Sequence, residues 1–343
     1  VNLPKFNRKL ATAIAFSGIG AAAFVAAGFP LPMLLGPMAG CLAAALAGAR
    51  MEGAGHLGTF MRTFLGVAIG ASVTPELLGR IPELALSLSL VPILVAAVGG
   101  IGYLFFRRVV GFDAMTSYYA ALPGGMQEMI LFGAEEGGNI RAISLVHATR
   151  VLVIFACVPF VATHYFGLNL DQPPGEPAAS LPWHETALMI VSGLTGWRIA
   201  HAMRIPGASI IGPMLLTALL SLAGVVNSRP PLEMMLVAQF FIGLGVGVRY
   251  TGITLGELRL DVIAGLGYCV LASAACIALI LAAGNFLAAD FLDVLLAFLP
   301  GGQAEMAMIA IVAGTDVAYV VAHHLVRIFF VITIGKWISG YLK

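Results

Sequence analysis

Three ionisable side chains occur twice in this sequence at a constant offset. Glu128, His147 and Arg150 return as Glu305, His324 and Arg327, and 305 − 128, 324 − 147 and 327 − 150 all equal 177. All six sit in or beside long apolar runs. An unpaired Arg or Glu at the centre of a bilayer costs roughly 3 kcal/mol. Two Glu and two Arg facing lipid would together cost on the order of 12 kcal/mol, so they are expected to face inward. His147 with Arg150, and His324 with Arg327, are spaced i, i+3 and share one face of a helix. Arg150 with Glu128, and Arg327 with Glu305, are the expected ion pairs within each half. Such Arg residues either fasten neighbouring elements or clamp a carboxylate or phosphate. The His residues either pack as satisfied core groups or titrate during function.

The Glu residues belong to a duplicated motif. LPGGMQEM at 122–129 returns as LPGGQAEM at 299–306. Pro removes a backbone donor and Gly weakens a helix. Pro123, Gly124 and Gly125, and again Pro300, Gly301 and Gly302, therefore break helical segments at 113–136 and 290–314. Unpaired backbone in hydrocarbon costs several kcal/mol per group, so a break must be buried in protein or line a watery cavity. New helical stretches start near Met126 and Gln303, and free N–H groups at a helix start favour anions. Glu128 and Glu305 fall in the first turn, where a carboxylate can cap the amides, bind a cation or carry a proton. Gln127 faces Ala304, and Met126 faces Gln303, across the repeat. These departures from symmetry suggest that the halves touch different parts of one substrate. Asp113, Asp290, Asn139 and Asp316 are expected as helix caps.

The elements that hold these residues follow from composition. Of 343 residues, 60% are hydrophobic and only 10% charged, with a mean hydropathy of +0.98. A soluble domain is nearer one quarter charged, so the expected solvent is lipid. Net charge is +1 with no basic patch, which argues against a nucleic-acid partner. The four cysteines, Cys41, Cys157, Cys269 and Cys276, lack CxxC spacing and read as reduced, packed thiols. Apolar runs long enough to span fall at about 10–29, 33–49, 57–75, 85–106 and 141–166, then at about 185–203, 208–226, 232–248, 262–284 and 317–339. No cleavable signal peptide is evident before the first of them.

The repeat extends beyond the motif. LLGPM at 34–38 matches IIGPM at 210–214 at an offset of 176. The expected fold is an all-α polytopic membrane protein with about ten transmembrane helices and two re-entrant or broken helices. Its domains are a first repeat over 1–167, an extracytoplasmic linker over 168–183, and a second repeat over 184–343. Lys and Arg favour the cytoplasmic side. If the broken segments do not cross, thirteen of the Lys and Arg residues that bear on topology share one face, against only Arg80 and Arg229. If they cross, the tally falls to nine against six. Five crossings per half make the repeats inverted and put both termini in the cytoplasm. Whether each break is a re-entrant hairpin or a crossing broken helix stays open at this level.

The doubled LPGG-x-x-EM element, the GPM element and the length together resemble the AbrB-duplication family of bacterial inner-membrane proteins. Members carry labels such as ammonia monooxygenase or transport protein. The resemblance rests on Pro123, Gly124, Gly125, Glu128 and Met129, and on Pro300, Gly301, Gly302, Glu305 and Met306. It implies a multi-pass protein of the bacterial inner membrane, with a transporter's role.

Inverted repeats with breaks at corresponding positions point to the binding site of a secondary transporter. The expected substrate is a small anionic organic solute, a carboxylate or amino acid, moved by alternating access and coupled to H⁺ or Na⁺. The alternative is a channel or exporter for a small solute such as ammonia. An intramembrane metalloenzyme is the weaker third reading, since neither HExxH nor GxSxG occurs. No enzyme activity, resident metal or organic cofactor is expected. The expected partners are the bilayer and a small solute, with homo-oligomers left open.

Overall fold

The computed structural model describes residues 7–73, 81–168, 170, 177–205, 207–226, 228–287 and 289–342. Part of the 168–183 linker, including Asp171 and Glu176, lies outside the described residues, as does the side chain of Gln127. The described residues contain helices and no strand. In chain order the helices are α1 (Arg8–Ala26), α2 (Pro32–Leu46), α3 (Gly55–Ala71), α4 (Ile81–Ser89), α5 (Val91–Leu104), α6 (Ala114–Ala121), α7 (Met126–Glu135) and α8 (Ile140–His164). The second half gives α9 (Trp183–Ala202), α10 (Ala208–Leu222), α11 (Leu232–Gly247), α12 (Ile263–Ala283), α13 (Phe291–Phe298), α14 (Gln303–Ala313) and α15 (Val317–Ser339). Among the described residues, six helical stretches are long and apolar enough to cross a membrane: Arg8–Ala26, Leu84–Val110, Ile140–His164, Leu232–Tyr250, Leu255–Ala283 and Val317–Ser339. The protein is a polytopic membrane protein.

The surface agrees with that solvent. Ile19, Val109, Leu281 and Phe329 are all more than 60% exposed on helix flanks, which costs little only against hydrocarbon. Tyr165, Trp183, Trp337 and Tyr341 are exposed near helix ends, where amphipathic rings meet lipid headgroups. Of the cysteines, Cys41, Cys269 and Cys276 are buried and Cys157 is exposed. A thiol on a lipid-facing flank needs no packed surroundings, so only three of the four are core thiols.

The chain forms two compact units that interleave the sequence halves. One comprises Val1–Gly79, Val158–Gly252 and Ala307–Ala318. The other comprises Arg80–Cys157, Ile253–Met306 and Tyr319–Lys343. Each unit draws matching helices from both repeats.

Glycine contacts in the first unit fix the direction of its helices. A Cβ on Gly20 would strike the backbone of Gly36, and one on Gly40 the carbonyl of Phe16, so α1 and α2 pack antiparallel with backbones touching. Gly196 and Gly212 repeat this contact between α9 and α10. Small residues allow such approach where dispersion drives helix association in lipid. Gly66 meets Ile210 and Gly70 meets Met214, so α3 and α10 run parallel. Gly243 meets Leu34 and Gly247 meets Met38, so α11 and α2 run parallel in the same register. Gly53, just before α3, lies 3.6 Å from Val248, just after α11 (measured from its ideal Cβ). α3 and α11 are therefore antiparallel, and so are α2 and α10. Corresponding helices point in opposite directions, which makes the repeats inverted.

Candidate functional site

Every ionisable residue of the duplicated motif falls in the second unit. Asp113 caps α6 by accepting from the Thr116 amide at 2.8 Å. Asp290 occupies the same position before α13 without a side-chain cap bond. The Asn139 side chain accepts from the amides of Arg141 and Ala142 at 3.1 Å each and so caps α8.

Three contacts decide the shape of the first break. The Asn139 amide donates to the Thr116 hydroxyl at 2.7 Å, so the end of α7 returns to the start of α6. The rings of Tyr119 and Phe132 meet across the pair, tilted by 53° with centroids 6.4 Å apart. Ile143 of α8 reaches the space beside Gly133. The segment is a re-entrant hairpin: it leaves on the side from which it entered. Its depth follows from α8, which runs beside it. Arg141 forms an ion pair with Glu257 at 2.8 Å while still 37% exposed, a state that fits the membrane–water boundary. Nine residues further on, at 1.5 Å rise each, Arg150 stands about 14 Å deeper. That is about half of a 30 Å hydrocarbon core.

At the hairpin tip, buried side chains from other helices take up the backbone carbonyls. His147 Nε2 donates to the Tyr119 carbonyl at 2.8 Å. The Tyr268 hydroxyl donates to the Ala121 carbonyl. Arg150 donates to the carbonyls of Leu122 and Gly124, at 3.3 Å each. In the second repeat the His, the Arg and the four carbonyls are the same positions shifted by 177, and only the donor to the Phe298 carbonyl is of another kind. His324 donates to Leu296 at 3.0 Å, the Cys276 thiol to Phe298 at 3.3 Å, and Arg327 to Leu299 and Gly301 at 2.8 and 2.7 Å. A helix end leaves its last carbonyls without intrahelical donors. Here four carbonyls at each break find a side-chain donor, which helps the break survive at membrane depth.

The expected Arg–Glu pairs are replaced by this arrangement. Both guanidiniums spend their donors on tip carbonyls, with Arg327 adding a 3.0 Å bond to Nδ1 of His324. The planar fork of Arg spans two carbonyls two residues apart, and a Glu would have to compete with both. Arg150 and Arg327 are 1% and 2% exposed, and each keeps a buried Nε–H without a bond.

The Glu side chains instead fold back on the tips. A Cβ on Gly125 would overlap Oε2 of Glu128, and one on Gly302 would overlap Oε2 of Glu305. Both carboxylates are partly exposed rather than buried. Pro123, Gly124, Pro300 and Gly301 are buried, while Gly125, Gly302 and Gln303 are half-buried. Gln303 Nε2 has no bonding partner. The structure thus gathers Pro123, Gly124, Gly125, Glu128, His147 and Arg150 at the hairpin tip and the helix that grips it, and likewise Pro300, Gly301, Gly302, Gln303, Glu305, His324 and Arg327 at the second break and its helix. Sequence reasoning missed Tyr268 and Cys276, which have no repeat-related partner of like chemistry. No group of three His, Cys, Asp or Glu residues fit to hold a metal occurs among the described residues. A cavity of about 410 Å³ beside the first hairpin, lined by Val95, Gly99, Tyr103, Leu122 and Ile334 among others, carries no charged group and is no place for a charged solute.

The family model described as "Transition state regulatory protein AbrB" matches residues 7–343. The chain belongs to the AbrB family. It is 25% identical over 335 residues to the Escherichia coli (strain K12) protein named "Putative regulator AbrB", covering 93% of this chain and 92% of that one. It is 23% identical over 287 residues to "Uncharacterized protein YhjN" of Bacillus subtilis (strain 168), covering 79% of this chain and 74% of the relative. The match to the AbrB family spans both hairpin motifs and all the helices above.

Proposed function

We propose that this AbrB-family protein is a secondary active transporter of a small anionic organic solute, a carboxylate or amino acid. It works by alternating access around a midplane site, coupled to H⁺ or Na⁺, in the bacterial inner membrane with both termini cytoplasmic. One observation carries the reading. At both breaks carbonyls of the Pro-Gly-Gly turn accept from a buried guanidinium, whereas no side chain caps the first-turn amides of α7. Two buried guanidiniums stand behind the tips, and among the described residues they bond to carbonyls rather than to a carboxylate. A site with surplus donors and positive charge suits an anion. The regulator's name carried by the family and by the Escherichia coli relative weighs less than this, because a chain that exposes apolar helix flanks has lipid rather than DNA for a neighbour.

The experiment is uptake into proteoliposomes, with succinate and glutamate as probes. Glu128→Gln and Glu305→Gln are expected to abolish driven uptake in protein that remains folded. Unlabelled solute on the far side should accelerate exchange. Fast dissipative flux without that acceleration would make the protein a channel and retire the carrier.

A further inference from the structure

The cavity beside the first hairpin is a groove with a direction. On α5 its lining runs from Pro92 through Ala96 and Gly100 to Tyr103, along one face of the helix. On α15 it runs from Phe330 through Ile334 and Ile338 to Leu342. From Pro92 to Tyr103 the helix rises about 16 Å, at 1.5 Å per residue. That is about half of a 30 Å hydrocarbon core. The floor is the hairpin itself. The Leu122 side chain lies between the two helices, with Cδ2 3.4 Å from an ideal Cβ on Gly99 and Cδ1 3.2 Å from one on Gly335. Tyr118 completes the floor, its hydroxyl spent on the Gly335 carbonyl at 2.8 Å.

Glycines make the groove, and the other half of the sequence lacks them. At the offset of 177, Gly99 and Gly100 correspond to Cys276 and Ile277, and Gly335 corresponds to Val158. Side chains stand there where the first half has none. The groove opens sideways: Ala96, Gly100, Ile334 and Ile338 are all exposed, on helix flanks whose solvent is lipid. Among the described residues that line it, only Tyr103 and Tyr118 carry a polar side-chain atom. Water entering it would find too few partners. Left unfilled, the lining would forfeit its dispersion contacts.

We propose that this groove binds one acyl chain of a membrane phospholipid, and that the chain backs Leu122 at the tip of the first hairpin. The site stands whether or not the protein is a carrier. Its size selects the occupant. About 410 Å³ over a length of about 16 Å gives a mean section of about 26 Å². An α-helix with its side chains is about 10–12 Å across, roughly 80–110 Å² in section, so no helix of a second copy lies down in it. A hydrocarbon chain, whose carbons keep about 4 Å from their neighbours, does. The Tyr103 end places the headgroup. Arg107 and Arg108 are exposed one turn further on, with Arg107 also donating to the Phe112 carbonyl at 3.0 Å. The helical stretch closes there, at Gly111, before the hairpin sets out from Asp113. A lipid phosphate at that end meets basic side chains, while its chain runs inward past Leu122, whose carbonyl Arg150 holds.

The test uses full-length protein in nanodiscs of phosphatidylethanolamine, with phosphatidylglycerol carrying a photoreactive diazirine in one acyl chain. Peptide mapping after illumination should find label on 92–103 and 330–342 several-fold above that on the flank of α12, where Val270 and Leu281 are exposed. Unlabelled phosphatidylglycerol should compete for the groove and leave the flank unchanged. Gly100→Ile places in the groove the side chain that the second half carries at Ile277, and nothing lies within 4 Å of its first added carbon. It should cut groove labelling several-fold with flank labelling intact. Ala96→Leu, at an exposed lining position without glycine, should do the same and serves if Gly100→Ile folds poorly. Equal, uncompeted labelling of groove and flank would reduce the groove to ordinary lipid-facing surface and overturn the proposal. Labelling unchanged in the folded variants would overturn it as well. A wild-type dimer by native mass spectrometry, cross-linked through Ile334→Cys and broken by Gly100→Ile, would give the groove to a second copy instead.

Discussion

Oε2 of Glu128 lies where a Cβ on Gly125 would have to be, and Glu305 stands in the same relation to Gly302. A glycine after each Pro-Gly is thus what lets the carboxylate fold over the start of its helix. The neighbour is the free end of a flexible side chain, and Gly125 has ordinary extended backbone angles. Gly125→Ala and Gly302→Ala should therefore fold, with midpoints of thermal unfolding within a few degrees of wild type. Each should displace its carboxylate and lower uptake at least tenfold. Wild-type uptake in both would show that the folded-back position is incidental.

The guanidiniums are anchors as well as charges. Arg150→Leu would leave the Leu122 and Gly124 carbonyls buried and unbonded, at about 1–3 kcal/mol each. Arg327→Leu should cost more, because its bonds are shorter and include His324. Lys at either position should rescue only in part, since one ammonium cannot fork across two carbonyls. Unfolding of the purified variants in detergent gives the order. Equal loss in the two would argue against unequal anchoring.

Helix contacts in the first unit make a sharper steric prediction. At Gly36 and Gly212 an added methyl meets backbone, which cannot rotate away. Gly36→Ala and Gly212→Ala should each destabilise by about 1–3 kcal/mol or prevent folding. Gly18→Ala is the control, with nothing within 4 Å of its added carbon. Yield and melting of the three variants decide the matter, and a tolerated Gly36→Ala would mean that α1 and α2 can separate freely.

Elemental analysis of purified protein should find no stoichiometric copper, iron or zinc. Chelators should leave driven uptake unchanged, because the described His, Cys, Asp and Glu residues never converge in threes. A metal at one equivalent per chain would reopen oxygenase chemistry.

The membrane fold and its doubling were legible in the residues alone. Composition determines the solvent, and a spacing of 177 shared by a Glu, a His and an Arg marks the repeat. Pro-Gly-Gly locates the breaks, because backbone chemistry is local. Partnerships were not legible. Glu128 and Arg150 look like an ion pair on charge, yet Arg150 binds two carbonyls that become free only where the chain stops being helical. Tyr268 carries no repeat signal, and its role arises from a distant segment, 147 residues from its partner. The re-entrant path likewise hangs on the Thr116–Asn139 contact. Local sequence sets where a helix must end, but the donors that satisfy its broken end are set by three-dimensional packing.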